Sequence, residues 1–207
     1  MLTETNHDKT ELWLIRHGIT DWNIEKRYQG STDVPLNAEG IAQARAAAAQ
    51  LRGQSFAAIY CSPLIRTRQT AHEISQVVGL PIFTDERLRE GCQGEWETLL
   101  LDEIDRLYPG MREKRRLDPV HSSPPGGENM LQVAQRVVQA ADDIACAHPG
   151  QKVLVVSHGM ALAGLISLAR NLPLKDSFNL IMPNAAVEVI HWQPGAICVA
   201  ENETEAA

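Results

Sequence analysis

Leu12-Trp13-Leu14-Ile15-Arg16-His17-Gly18 and Val153-Leu154-Val155-Val156-Ser157-His158-Gly159 are two short apolar runs, far apart in the chain, that each close on His-Gly. Runs of this length bounded by turn residues read as buried strands, here roughly Glu11–Arg16 and Lys152–Val156. Each strand delivers a histidine at its C-terminal end, the edge at which open α/β sheets hold ligands. Arg16 sets a guanidinium beside one imidazole, so the expected ligand is an anion.

Strand and helix signals alternate around these two runs, which argues for a layered α/β fold. Asn37 caps a helix that runs through Leu51 to a stop at Gly53, with Ala44, Ala47, Ala48 and Leu51 as its buried stripe. Phe56–Cys61 reads as a strand. Ser62-Pro63 then stand as N-cap and first residue of a helix that buries Leu64, Thr67, Ala71, Ile74 and Val78 and ends at Gly79. Residues 80–98 read as a short strand and a loop. From Leu99 a short helix runs to about Tyr108, followed by a basic stretch and Pro-rich turns to Pro125 that form an excursion over one face. Met130, Val133, Ala134, Val137, Val138, Ala141, Ile144 and Ala145 repeat at helical spacing up to His148-Pro149-Gly150. A helix follows over Met160–Arg170. Ala185–His191 and Ala196–Ala200 read as two last strands, and 201–207 as a frayed acidic tail.

The chain has 207 residues, 44% of them hydrophobic and 22% charged, which suits one globular domain with a real core. Its net charge of −7 favours neither nucleic acid nor an anionic membrane. The longest apolar stretch, Met160–Ala169, is too short to span a bilayer. Cys61, Cys92, Cys146 and Cys198 form no C-x-x-C pair, and the polar residues 1–10 lack the apolar core of a signal peptide, so reduced thiols in the cytoplasm are expected. The seven histidines include no H-x-H or H-E-x-x-H spacing, and neither a metal site nor a cofactor is expected.

Four elements carry the chemistry. His17 next to Arg16 and Gly18 joins a nucleophile, a cation and a permissive backbone, and imidazole is a competent nucleophile near neutral pH. Arg66 and Arg68 fall in the opening turns of a helix, where the macrodipole disfavours cations by up to about 1 kcal/mol, a cost that a bound phosphate would offset. Two positions apart on a helix is about 200°, so only one of the two faces a pocket, and Arg66 is the choice. Leu88-Arg89-Glu90-Gly91-Cys92-Gln93-Gly94-Glu95-Trp96-Glu97 sets three carboxylates near two glycines, of which at least two are ordinary loop residues and one a candidate general acid. Ser157-His158-Gly159 brings a second imidazole to a helix start.

Taken together, these motifs resemble the histidine phosphatase superfamily, the phosphoglycerate mutase-like group. The likeness rests on Arg16-His17-Gly18, Ser62-Pro63-Leu64 with Arg66 and Thr70-Ala71, Leu88-Arg89-Glu90 with Gly94-Glu95-Trp96-Glu97, and Ser157-His158-Gly159. Arg27 to Leu36 and Pro125-Gly126-Gly127-Glu128 also fit, and the match covers about residues 11–192. The resemblance implies that His17 becomes phosphohistidine, that Arg16, Arg66 and His158 hold the phosphoryl oxygens, and that Glu90 protonates the leaving oxygen and then activates water. It further implies that Asn23 hydrogen-bonds the phosphoryl group, that Thr20, Gln29 and Gly30 line the entrance, and that Gly159 belongs to the binding set. Gln93 and Thr98 depart from the family loop, which usually has an apolar residue and a second glycine there.

The expected architecture is a three-layer α/β/α sandwich around a mixed, mainly parallel sheet, forming a single domain over 1–207 with a small cap from about 18–36 and 99–127. The expected partner is a small phosphorylated substrate. Oligomeric state stays open, a homodimer being one admissible form. The phosphatase branch is favoured by Gln29-Gly30 with Thr32-Asp33-Val34-Pro35; mutase-type transfer and a non-catalytic phospho-ligand-binding protein are the alternatives. Arg112, Lys114, Arg115 and Arg116 fit either a contact to a second substrate anion or a solvated charged face.

Overall fold

The computed structural model describes residues 9–196 and 199. Five strands, β1 (Thr10–Arg16), β2 (Ala58–Cys61), β3 (Ile82–Thr84), β4 (Lys152–Ser157) and β5 (Val187–Trp192), form one sheet in the order β3-β2-β4-β1-β5. All neighbours are parallel except β1 and β5. The α-helices are α1 (Asp21–Ile24), α2 (Ala38–Gln50), α3 (Ile65–Val78), α4 (Leu101–Leu107), α5 (Met111–Leu117), α6 (Met130–Ala147) and α7 (Gly159–Ala169), with 3-10 turns at Glu86–Leu88, Gly94–Trp96 and Leu174–Leu180.

Side-chain alternation along the strands builds two cores. Leu12 and Leu14 with Val153 and Val155 face α6 and α7, where Met130, Val133, Val137, Leu162 and Ile166 are fully buried. Ile15, Leu154 and Val156 face the other way, onto Ala48 of α2, Leu51 at its C-cap, and Ala71 and Ile74 of α3. The result is the α/β/α sandwich with a mainly parallel sheet. Buried strands covered on both faces explain why their sequences read as continuous apolar runs.

Two details that bear on the site differ from the pattern reading. Helix α3 starts at Ile65 with Leu64 at its N-cap, so Ser62 is not the cap residue; its hydroxyl accepts the Leu64 N–H at 3.3 Å and meets His158 Nε2 at 2.8 Å. Met111–Leu117 is a helix although five of its seven residues are charged and it has no apolar period. The final strand expected over Ala196–Ala200 has Ile197, Cys198 and Ala200 outside the described residues, as does the 201–207 tail. Segments 18–36 and 99–127 meet through an isolated bridge between Arg27 and Leu100 and a Tyr28 N to Leu99 O bond of 3.0 Å.

Candidate active site

Strand register puts the two histidines side by side. Arg16 pairs with Ser157 across β1 and β4, so His17 and His158 stand at the same level one residue beyond, with ring centroids 5.2 Å apart and edge to face. His17 is 2% exposed and its Nδ1 lies 2.7 Å from the Gly18 carbonyl. A carbonyl only accepts, so Nδ1 carries the proton and Nε2 holds the free lone pair. Burial, then the charges of Arg66 and Arg16, push the His17 pKa well below 6.5. The ring is thus a neutral base with a defined nucleophilic nitrogen. The turn after it requires glycine, because a Cβ on Gly18 would stand 2.3 Å from the Gly40 carbonyl oxygen of α2.

Arg68 is exposed, whereas Arg66 is 1% exposed. Its Nη1 and Nη2 donate to the carbonyls of Thr32 and Gly30, both at 2.8 Å, and its Nε donates to His158 Nδ1 at 3.2 Å. That bond leaves His158 Nε2 as the protonated nitrogen, donating to Ser62 Oγ at 2.8 Å. His158 therefore has both ring nitrogens engaged within the protein, and burial followed by the Arg66 charge lowers its pKa well below 6.5. Desolvation brings Arg66 itself down to about 10, against the opposing pull of Glu90 and Asp33. Asp33 also accepts the Ile65 N–H at 2.6 Å, so a carboxylate already occupies the positive end of α3. Arg16 Nη1 donates to Met182 O at 2.6 Å, while its buried Nε finds no partner among the described residues. Asn184, which drew no notice in the sequence, donates from Nδ2 to the His17 carbonyl at 3.0 Å.

Glu90 reaches the same cavity from the segment that follows β3. Its Oε1 accepts the N–H of Gly91 at 2.9 Å and of Met160 at 3.1 Å, the latter at the start of α7. A Cβ on Gly159 would lie 3.4 Å from Glu90 Oε2 and 3.7 Å from Arg16 Cζ, so the glycine keeps the space between carboxyl and guanidinium open. The other two carboxylates of the loop have structural partners. Glu95 accepts from Tyr108 Oη at 2.7 Å, and Glu97 binds Ser31 N, Gln93 N and Thr32 Oγ1 at 2.8, 3.1 and 2.6 Å.

A cavity of about 770 Å³ opens onto this centre, and Arg16, His17, Asn23, Gln29, Gly30, Arg66 and Glu90 form part of its wall. Thr20, His158 and Gly159 lie behind that wall rather than on it. Thr20 caps α1, its N–H donating to Asn23 Oδ1 at 3.1 Å and its hydroxyl to Gln29 Oε1 at 3.0 Å, which holds both amides in place. Of the basic stretch, Arg112 and Arg116 on the cavity wall pair with Asp105 and Glu113. Arg115 differs: it is 4% exposed, sits 5.6 Å from the rings of Trp96 and Phe178, and donates to Gln93 Oε1 at 2.6 Å. No carboxylate pairs with it among the described residues. Gln93, the departure from the family loop, is thus the neutral acceptor of a buried cation.

Among the described residues, no group of three or more His, Cys, Asp or Glu side chains is arranged to hold a metal ion, and no helix is long and apolar enough to cross a membrane. Cys61, Cys92 and Cys146 are free thiols. Chemically, the centre brings a neutral imidazole, two guanidiniums and a carboxyl to one cavity, an arrangement suited to a phosphoryl group.

Residues 12–203 match the model of the histidine phosphatase superfamily, branch 1. The chain is 35% identical over 183 residues to the probable phosphoglycerate mutase GpmB of Escherichia coli, covering 88% of this chain and 85% of that one. Among solved structures it superposes on a mycobacterial glucosyl-3-phosphoglycerate phosphatase complexed with VO3 at a TM-score of 0.81 and 33% identity, over 86% of this chain and 90% of the other. Bacillus stearothermophilus YhfR gives a TM-score of 0.84 and 35% identity over 92% and 95% of the two chains. This chain belongs to the histidine phosphatase superfamily and is an enzyme of that kind.

Proposed function

We propose that the protein hydrolyses a small phosphorylated metabolite through a phosphohistidine at His17. The observation that carries this reading is the His17 ring: Nδ1 tied to the Gly18 carbonyl, Nε2 free, and two guanidiniums beside it. Nε2 attacks phosphorus and the bond to the leaving oxygen breaks, with Glu90 supplying the proton that oxygen takes. Water then attacks the phosphoryl group, Glu90 receives its proton, and the P–N electrons return to Nε2. Arg16 and Arg66 hold the phosphoryl oxygens as charge develops. Asn23, whose Oδ1 is occupied by Thr20, offers its amide N–H groups to the same oxygens. Neutral and engaged at both nitrogens, His158 serves by aligning Arg66 rather than by adding charge. Gln29 and Gly30 shape the entrance, under a cap formed by 18–36 and 99–127.

The cytoplasm is the expected setting, and neither nucleic acid nor membrane is an expected partner. Mutase-type transfer stays as a second reading because of the likeness to GpmB and because Arg115 leaves a buried positive charge for a second substrate anion. Phosphate release from p-nitrophenyl phosphate is the first test, and His17→Ala should lower it by about 10⁴-fold or more. Labelled substrate should leave an acid-labile, alkali-stable adduct on the wild type and none on His17→Ala. An adduct surviving in that variant contradicts the proposal. A metabolite screen that includes 3-phosphoglycerate with and without 2,3-bisphosphoglycerate separates hydrolysis from transfer.

A further inference from the structure

Arg136, on α6, lies outside the cavity wall, yet its guanidinium grips the segment that carries Glu90. Nη1 donates to the carbonyls of Arg87 and Arg89 at 2.8 and 2.6 Å, and Nη2 donates to the carbonyl of Glu90 itself at 3.0 Å. Nε and Nη2 also pair with the Glu128 carboxylate, both at 2.9 Å. Glu128 Oε2 accepts the Cys92 N–H at 2.8 Å, and the Glu128 N–H returns to the Cys92 carbonyl at 2.8 Å. One ion pair therefore binds the chain on both sides of Glu90, from Arg87 to Cys92. Ser157 Oγ adds an anchor from β4 by donating to Leu88 O at 2.6 Å.

We propose that Arg136, oriented by Glu128, is the positioning residue for Glu90 and fixes where its carboxyl meets the leaving oxygen. This rests on the reading of Glu90 as the acid. The carboxyl end is held by the N–H groups of Gly91 and Met160, but Gly91 belongs to the same segment and moves with it. If the donors to Arg87, Arg89 and Glu90 are lost, their carbonyls turn toward other partners and carry the segment along. A shift of about 1 Å in a reacting group costs on the order of 10²-fold in rate. Only a planar fork reaches three carbonyls and a carboxylate at once; a lysine presents its donors at one point. The phosphoryl pocket is built on other elements and does not share these bonds, so the defect should be confined to the step that needs a proton.

The test compares Arg136→Met and Arg136→Lys with Glu90→Gln on two substrates. p-Nitrophenyl phosphate releases a leaving group that needs no proton, whereas a simple alkyl phosphate does need one. Both Arg136 variants should lose less than about 5-fold in kcat/KM on the nitrophenyl ester and about 100-fold on the alkyl ester. Inhibition by vanadate should stay within about 3-fold of wild type, since the phosphoryl pocket is intact. Arg136→Met combined with Glu90→Gln should be no slower on the alkyl ester than Glu90→Gln alone. Equal losses on the two esters, or additive losses in the double variant, overturn the proposal. Should Arg136→Met fail to fold, Glu128→Gln is judged by the same criterion. Glu90→Gln acting equally on both esters sinks the acid assignment and this proposal with it. Selectivity in Glu90→Gln without selectivity in the Arg136 variants sinks the positioning role alone.

Discussion

His17 and His158 stand one residue beyond the paired ends of β1 and β4, whereas Glu90 stands in a segment that belongs to no strand. The first half of the site is held by the sheet. Ladder hydrogen bonds and two apolar cores fix its backbone, and Arg66 enters from the first turn of α3, a helix with one buried face. The second half is stitched together by side chains and close backbone contacts. Arg136 and Glu128 grip 87–92, Glu97 ties 31–32 to 93, and a Cβ on Gly94 would come within 2.1 Å of the Pro125 carbonyl oxygen. A phosphoryl group is the same in every phosphomonoester, so a rigid cradle suits it. Leaving groups vary, and a side built from loops can change its lining without disturbing the sheet.

The largest effect that would sharpen this contrast comes from Arg66→Met. It should cost about 10²–10³-fold in kcat, equally on nitrophenyl and alkyl esters, because it removes a charge from the phosphoryl side. Chemical denaturation should also show a loss of about 2–4 kcal/mol, since the carbonyls of Gly30 and Thr32 lose a buried donor. A loss in kcat confined to the alkyl ester would break the division of the site into two halves.

Acidity is the next probe. His17 and His158 both have folded pKa values below 6.5, so in that interval the unfolded chain binds protons that the native protein does not. Stability is then fully present above about pH 6.5 and declines as the pH falls from there toward the folded values. The acid limb of kcat/KM should likewise fall below pH 6.5, because the attack proposed for His17 needs a neutral ring. Urea midpoints and a pH–rate profile read the two effects, and an acid limb centred above 6.5 would contradict the burial of His17.

The smallest effect belongs to the stitched half. Thr98 holds φ at +72°, a conformation costly for a β-branched residue, at the place where the family loop has glycine. Thr98→Gly should raise stability by about 1 kcal/mol in urea titration and leave nitrophenyl phosphate turnover within about 2-fold. A destabilised Thr98→Gly would mean that its side chain, not its backbone, supports the loop.

The same division governs how much could be read from the chain beforehand. Buried parallel strands write themselves as apolar runs, so β1, β4 and the histidines that follow them were plain, and the helical angle between Arg66 and Arg68 leaves one of the two for the cavity, on whose wall Arg66 lies. The helical spacing from Met130 to Ala145 marked α6 because one of its faces is buried, whereas its N-cap, Asn129, was not read. Helix α5 escaped because Arg112, Glu113, Lys114, Arg115 and Arg116 carry no apolar period, and nothing local separates the buried Arg115 from its paired neighbours. Ser62 read as a cap because Ser-Pro usually is one; its bond to His158 depends on strand register across 96 positions. Arg136 had one weak signal, a cation among the buried positions Val133, Ala134 and Val137, eight residues after the glutamate it pairs with.

The hydrogen bond from His17 Nδ1 to the Gly18 carbonyl fixes a regiochemistry. With that nitrogen committed, the covalent adduct proposed here forms at Nε2 alone, giving the 3-phospho isomer of histidine and none of the 1-phospho isomer. Isomer-specific antibodies distinguish the two directly. Because the bonded proton is untouched by phosphorylation, the ring keeps its plane through both half-reactions, and the incoming water meets phosphorus along the line the departing alcohol took.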